Sequence, residues 1–151
     1  MKRTVKKACF VGTLFLSVIF FSGYVKAAVP LLVPELKWFP GDNKILLITK
    51  PEGKLVLIST DTASNHVVEN GEVKEASISP DGYKVVYSIQ GKGIWVVNAD
   101  GSEKTQITTD DGFNLIWSPG GIKISYMLFT EKGISIYVVH FDGSNKKLVY
   151  Q

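Results

Sequence analysis

The stretch Ala76-Ser77-Ile78-Ser79-Pro80-Asp81-Gly82 decides the fold of this chain, because two related phrases flank it. One is Leu36-Lys37-Trp38-Phe39-Pro40-Gly41-Asp42 and the other is Leu115-Ile116-Trp117-Ser118-Pro119-Gly120-Gly121, so the three prolines lie 40 and 39 positions apart. After each phrase come a lysine and an apolar run, then a second apolar run that ends in an acidic turn. Self-similarity at this period indicates an array of equivalent structural units.

Each unit is predicted to contain four short β-strands, which we place in the second repeat at 75–78, 84–89, 93–98 and 103–108. These segments are rich in Val, Ile, Tyr and Trp, which favour strands. Proline with Asp or Gly favours a tight turn between the first two strands, and Asp-Gly favours a hairpin between the last two. The residues that we assign to these structural turns are Pro40, Pro80, Asp81, Gly82, Pro119, Asp100, Gly101, Asp142 and Gly143.

The middle strands are apolar at consecutive positions, as in Trp95-Val96-Val97 and Tyr137-Val138-Val139. A strand with one face in water alternates, whereas a continuous apolar run is typical of a sheet covered on both faces. The blades of a β-propeller stack face to face in this way. We therefore predict an all-β fold of three four-stranded antiparallel blades, at about 36–74, 75–114 and 115–151.

The first 27 residues have the layout of a secretory signal peptide. A basic start precedes an almost wholly apolar segment at 8–23, and Val25-Lys26-Ala27 offers a small-x-small cleavage pattern. The apolar segment is short for a membrane span, so an uncleaved anchor helix is the less favoured alternative. We expect cleavage near Ala27-Ala28 and a periplasmic or secreted product without a membrane span. The prolines at 28–35 then predict a linker or an edge strand.

Removal of this leader changes the charge of the chain. Five of the 17 basic residues lie in it and none of the 14 acidic residues do, so 12 basic and 14 acidic residues remain. The apparent basic character is therefore a targeting feature, and nucleic acid is not expected as a partner. Cys9, the single cysteine, also lies in the leader, so the mature chain can form no disulfide and has no thiolate metal ligand.

No residue pattern in the mature chain predicts catalysis. His66 and His140 are its two histidines, and both fall at strand positions where a structural role is favoured. Gly133-Ile134-Ser135-Ile136-Tyr137 approaches a Gly-x-Ser-x-Gly nucleophile elbow but lacks the closing glycine. We therefore expect no enzymatic activity, no catalytic residues and no cofactor.

The residues considered for binding are turn aspartates, two tryptophans and one set of loops. Aspartates in turns favour hydrogen bonds to the backbone, so no metal site is predicted, with calcium at Asp110-Asp111-Gly112 as the alternative. Trp38 and Trp117 precede their prolines at equivalent positions, where packing between blades is favoured. Loops held by a rigid scaffold commonly carry binding groups. The turns after the second strands, at 51–53, 90–92 and 130–132, are therefore the positions considered for a partner.

The repeat resembles the WD-like unit of TolB-type β-propellers. The second repeat carries the resemblance best, through Ser79-Pro80-Asp81-Gly82, Lys84, Ile94-Trp95-Val96, Asn98-Ala99-Asp100-Gly101-Ser102 and Ile107-Thr108. The third repeat keeps Trp117-Ser118-Pro119 but has Gly120 where such repeats usually have Asp, and the first repeat is the most diverged. The same unit builds the propellers of prolyl-oligopeptidase-type peptidases, but no part of this sequence resembles their catalytic α/β-hydrolase domain.

This resemblance implies an exported, non-enzymatic protein–protein interaction module with a protein partner in the cell envelope, in the periplasm of a Gram-negative cell. The alternatives are a propeller fragment of such a peptidase without its catalytic domain and a truncated gene product. TolB-like propellers resemble six-bladed rings, whereas this chain holds three repeats. Because an unclosed array leaves its terminal blades with a bare apolar face, a homodimer that completes six blades is a further expectation.

Overall fold

Each repeat folds into one four-stranded antiparallel sheet, in which neighbouring strands follow chain order. The computed structural model describes residues 33–41 and 43–151, so the predicted leader at 1–27 and most of the predicted linker lie outside the described residues. The strands are β1 (Glu35–Trp38), β2 (Lys44–Ile48), β3 (Leu55–Ser59) and β4 (Asn65–Glu69) in blade one, β5 (Val73–Ile78), β6 (Lys84–Ile89), β7 (Gly93–Asn98) and β8 (Thr105–Thr108) in blade two, and β9 (Phe113–Trp117), β10 (Lys123–Thr130), β11 (Gly133–His140) and β12 (Lys147–Tyr150) in blade three.

The predicted fold of three four-stranded antiparallel blades is confirmed. No helix in the described part of the chain is long and apolar enough to cross a membrane.

The three blades are in the same register. The lysine that begins the second strand lies opposite the last residue of the third strand: Lys44 pairs with Ser59, Lys84 with Asn98 and Lys123 with His140. The proline turns therefore lie at the same end of every blade as the acidic turns, because both turns adjoin this pair. The loops at 51–53, 90–92 and 130–132 lie at the opposite end.

Blade two lies between the other two blades, and each of its faces contributes to a separate apolar cluster. Alternate residues of a strand point to opposite faces of the sheet. Val85 and Tyr87 accordingly pack with Leu46 and Ile48 of blade one, whereas Val86 packs with buried side chains of blade three. The continuous apolar runs are thus explained, since blade two is covered on both sides. We call these contacts junction one (blades one and two) and junction two (blades two and three).

Blades one and three each present a second apolar face that points away from blade two. The outer face of blade one carries the side chains that alternate with those of junction one: Leu36, Trp38, Ile45, Leu47, Val56 and Val67. The outer face of blade three carries those that alternate with the junction-two residues: Ile116, Met127, Phe129, Ile134, Ile136 and Val138. In the described part of the chain, neither buried cluster includes any of these side chains.

Candidate interaction site at the proline-turn end

A cavity of about 470 Å³ opens at the proline-turn end of junction one. Blade one lines it with Phe39, Pro40, Asn43 and Lys44, and blade two lines it with residues of its proline turn and its acidic turn, Asp81, Gly82, Tyr83 and Asp100 among them. Phe39 is buried, whereas Tyr83 at the rim is 73% exposed. The site therefore combines an apolar wall with an aromatic side chain that reaches into solvent.

The proline turn of blade two is held by the side chains of its own sequence. The Asp81 carboxylate accepts hydrogen bonds from the Ser79 hydroxyl (2.5 Å) and from the backbone N–H of Tyr83 (3.0 Å). These two bonds stabilise the ionised form and lower the pKa of Asp81. Gly82 has a φ of +75°, and a Cβ there would lie 3.3 Å from the Pro40 ring. Glycine is thus needed both for the turn and for the close approach of the neighbouring blade.

The acidic turns of blades two and three have the same internal structure. Asp100 accepts hydrogen bonds from the N–H (2.9 Å) and hydroxyl (2.6 Å) of Ser102, and Asp142 accepts the same pair from Ser144 (2.9 and 2.6 Å). These bonds lower the pKa of both carboxyl groups. A Cβ at Gly101, which has a φ of +87°, would lie 2.4 Å from the His66 ring. His66 therefore packs against this turn across junction one.

The lysine that begins the second strand of a blade reaches the acidic turn of the next blade. At junction one, the Lys44 ammonium donates to the backbone oxygen of Ala99 (3.0 Å), and its charge helps to lower the pKa of the adjacent Asp100. At junction two, the Lys84 ammonium lies 5.2 Å from the ring centre of Phe141, which occupies the position of Ala99 in blade three. The equivalent lysine of blade three is Lys123, and its ammonium has no hydrogen bond or ion pair with any described residue.

The two predicted packing tryptophans have different environments. Trp117 is 7% exposed, and its indole N–H donates to the backbone oxygen of Ser77 across junction two (3.0 Å). Trp38 occupies the same place in blade one but is 60% exposed, because it lies on the outer face. Packing between blades is thus observed for Trp117, while for Trp38 the described residues supply no neighbouring blade.

Ser135 and His140, which were considered for catalysis, form hydrogen bonds within their own strand pair and turn. Ser135 is fully buried, and its hydroxyl lies 3.2 Å from that of Thr130. The Nδ1 of His140 lies 3.4 Å from the Ser144 hydroxyl and 3.2 Å from the Asn145 amide nitrogen, within the acidic turn. The serine beside His140 is thus Ser144, whose hydroxyl donates to the Asp142 carboxylate (2.6 Å) within the acidic turn, whereas the hydroxyl of Ser135 is buried next to Thr130.

The aspartates considered for calcium are bonded to lysines. Lys74 contacts both carboxylate oxygens of Asp111 (2.8 and 2.9 Å), which lowers the pKa of Asp111. Asp110 forms an ion pair with Lys146 (2.5 Å) and accepts a hydrogen bond from the hydroxyl of the buried Tyr126. Among residues 33–41 and 43–151, no group of three or more His, Cys, Asp or Glu side chains is arranged to hold a metal ion.

The sequence-based choice of binding loops did not include the cavity. Those loops lie at the opposite end of the blades from Tyr83 and its pocket. A local signal was present in the sequence, because Tyr83 lies between the turn glycine Gly82 and the strand-initiating Lys84, where an aromatic side chain is required neither by the turn nor by the core. The pocket itself required the stacking of blade one on blade two, because residues about 40 positions apart form its walls.

Comparison with known proteins identifies the class to which these blades belong. No protein-family model matches the sequence, and no curated protein matches it. Among solved structures, the β-propeller domain of the Trilobed protease from Pyrococcus furiosus is similar with a TM-score of 0.63 and 14% identity over 78% of this chain and 43% of that chain. TolB from Acinetobacter baumannii is similar with a TM-score of 0.60 and 18% identity over 75% of this chain and 31% of that chain.

A chain of the nidogen/laminin complex gives a TM-score of 0.62 and 15% identity over 79% of this chain and 48% of that chain. At these identities the likeness defines the fold, and the chain spans less than half the length of the structures it matches. The described part of this chain is therefore a partial β-propeller of three blades.

Proposed function

We propose that this chain is a non-catalytic interaction module that binds a protein partner at the proline-turn end of junction one. The observation that carries this proposal is Tyr83, which is 73% exposed at the rim of a cavity of about 470 Å³. Tyrosine is enriched at protein interfaces because it combines a large apolar surface with a hydroxyl group and loses little conformational entropy. An exposed tyrosine beside a pocket is thus suited to anchor a partner.

The walls of the cavity define what the partner should contribute. Phe39 and Pro40 offer apolar surface, while Asp81 and Asp100 offer carboxylates whose lowered pKa keeps them ionised. Serine hydroxyls already orient both carboxylates, so binding need not order them. The matching segment of a partner places an apolar side chain in the cavity and hydrogen-bond donors beside the carboxylates.

The non-catalytic part of the proposal is supported by the environment of Ser135, whose hydroxyl is buried between strands. Its export is supported by the sequence of residues 1–27, which has the layout of a signal peptide. We place the site of action in the periplasm or outside the cell on that pattern.

A second candidate function is the propeller part of a peptidase assembly. It is favoured by the similar structures of the tricorn protease and of Pyrococcus horikoshii acylaminoacyl peptidase, with TM-scores of 0.57 and 0.60. In this case the catalytic domain would belong to another polypeptide and would be the partner of this chain.

Site-specific photo-crosslinking in cells tests both candidates. A photo-reactive phenylalanine analogue replaces Tyr83 in one variant and Gln90 in a matched control, since Gln90 is also exposed and lies on the same blade at the opposite end. We expect one dominant adduct from position 83 and none from position 90, and mass spectrometry then identifies the partner. A peptidase in the adduct would favour the second candidate.

The identified partner allows the affinity to be measured with purified proteins. Removal of a central aromatic anchor commonly costs about 2 kcal/mol or more, so Tyr83→Ala should weaken binding by about thirtyfold. Adducts that form equally from both positions, or an affinity that Tyr83→Ala leaves unchanged, would contradict the proposed site.

A further inference from the structure

We propose that two copies of this chain pack head to tail, with the outer face of blade three of each copy on the outer face of blade one of the other. The result is a closed six-bladed propeller. This inference does not depend on the partner site around Tyr83, because it uses the two faces that point away from blade two.

The first argument is that the two outer faces are equivalent to the two faces that already pack against each other at junctions one and two. Blade two presents one face, with Val85 and Tyr87, to the preceding blade and the other face, with Val86, to the following blade. The outer face of blade one is equivalent to the face that blade two presents to the preceding blade. The outer face of blade three is equivalent to the face that blade two presents to the following blade. In the dimer, the outer face of blade three of one copy therefore packs on the outer face of blade one of the other copy, with the same pairing of faces as at junctions one and two.

The second argument is a hydrogen bond whose template exists at junction two. There the indole N–H of Trp117 donates to the backbone oxygen of Ser77 in the preceding blade (3.0 Å). Trp38 has the position of Trp117 in its repeat, and Ile116 has the position of Ser77. In the ring, Trp38 of one copy reaches the Ile116 backbone oxygen of the other. This contact buries an indole that is 60% exposed in the single chain.

The third argument is charge complementarity. Lys44 and Lys84 each reach the acidic turn of the following blade. Lys123 is the third member of this set, and the turn that follows it in the ring contains Asp61 of the second copy, which has the position of Asp100. Packing of the two copies thus brings the ammonium of Lys123 to the turn that holds Asp61, as at junction one the Lys44 ammonium donates to the backbone oxygen of Ala99, the residue before Asp100 (3.0 Å).

The size and number of the faces agree with a dimer. With strands about 4.8 Å apart and about five residues long, each four-stranded face measures on the order of 17 by 17 Å. Covering two outer faces on each of two copies removes on the order of 1,200 Å² from water, which is within the range of specific stable interfaces. Two copies supply six blades, and six lies within the about four to eight blades that propellers usually have.

Sedimentation velocity of the purified chain over a wide concentration range tests the inference. We expect a single species of twice the chain mass measured by mass spectrometry, dissociating only on dilution. Trp38→Ala removes two equivalent aromatic anchors from each dimer, so at about 2 kcal/mol for each anchor it should raise the dimer dissociation constant by roughly a thousandfold. Gln106→Ala, on the exposed outermost strand of blade two, is the control and should leave the constant unchanged.

A charge exchange tests the head-to-tail arrangement itself. Lys123→Glu places two carboxylates together at both contacts and should weaken the dimer, while the double variant Lys123→Glu with Asp61→Lys should restore the wild-type constant. Circular dichroism checks that each variant is folded. A wild-type chain that is a folded monomer, a larger ring, a filament or an aggregate overturns the inference. Failure of the double variant to recover overturns the assigned pairing of faces.

The dimer test and the crosslinking test of the partner site can give different answers. A dimer that gives no adduct from position 83 would retain the six-bladed ring and reject the partner site. A monomer that is crosslinked from position 83 would do the reverse.

Discussion

Trp117 and Trp38 occupy the same place in their repeats, yet the first is 7% and the second 60% exposed. Trp117 packs into junction two and donates a hydrogen bond to Ser77, whereas Trp38 lies on the outer face of blade one. The identity of the residue is the same in both places, so the difference comes from the neighbouring blade. In a repeat protein, equivalent side chains are therefore buried or exposed according to whether another repeat packs against them.

Alanine substitution at the two tryptophans should produce the largest difference between these regions. Trp117→Ala removes a buried indole together with its hydrogen bond to the Ser77 oxygen, so the free energy of unfolding should fall by about 3 to 5 kcal/mol. Trp38→Ala removes an exposed indole and should change the stability of the dissociated chain by less than about 1 kcal/mol. Urea unfolding at the lowest workable protein concentration measures both, and equal losses would contradict the distinction.

Junctions one and two offer a second, smaller contrast through Tyr87 and Tyr126, which are equivalent and fully buried. The Tyr126 hydroxyl donates to Asp110, whereas the Tyr87 hydroxyl has no hydrogen-bond partner among the described residues. Asp110→Ala should therefore cost about 1 to 3 kcal/mol, because it leaves a buried donor unpaired.

The matched phenylalanine variants complete this second test. Tyr87→Phe removes a hydroxyl that makes no hydrogen bond to described residues and should lie within about 0.5 kcal/mol of the wild type. Tyr126→Phe in the Asp110→Ala background should recover part of the loss. If Tyr87→Phe were as destabilising as Asp110→Ala, the two junctions would not differ in this respect.

The smallest expected effect concerns pH. Partial burial raises the pKa of Asp110, but hydrogen bonds from Lys146 and Tyr126 outweigh it and hold the pKa below its ordinary value. A carboxyl group with a lower pKa in the folded than in the unfolded state stabilises the fold above the unfolded pKa of about 4, and this contribution is lost as the pH falls through the folded pKa.

Urea unfolding of the wild type and of Asp110→Ala, at about pH 7 and about pH 3, isolates this contribution from those of the other aspartates. The wild type should lose more stability on acidification than the variant. The same pH dependence in both proteins would show that Asp110 has no such role at junction two.

Much of the fold could be predicted from local patterns. The proline and glycine phrases marked the turns because Gly82 and Gly101 adopt positive φ values that most residues avoid. The continuous apolar run around Trp95 indicated a sheet covered on both faces, which blade two is. The comparison structures agree with the predicted propeller repeat.

The site was harder to predict, because its parts come from different repeats. Phe39 and Tyr83 share a cavity only after blade one stacks on blade two. Asp110 was considered as a calcium ligand, but its partners Tyr126 and Lys146 belong to the next blade. Turn chemistry depends on near neighbours in the chain, whereas these contacts depend on the register between sheets.

The sequence by itself determined the number of blades, their antiparallel order and the ends at which their turns lie, because strand propensity, proline and glycine act over a few residues. Only the tertiary structure decided which apolar faces are covered. Leu46 and Leu47 are adjacent and chemically identical, yet Leu46 is buried in junction one and Leu47 lies on the outer face of blade one. Burial depends on what packs against a face, and that packing joins residues that are distant in the chain.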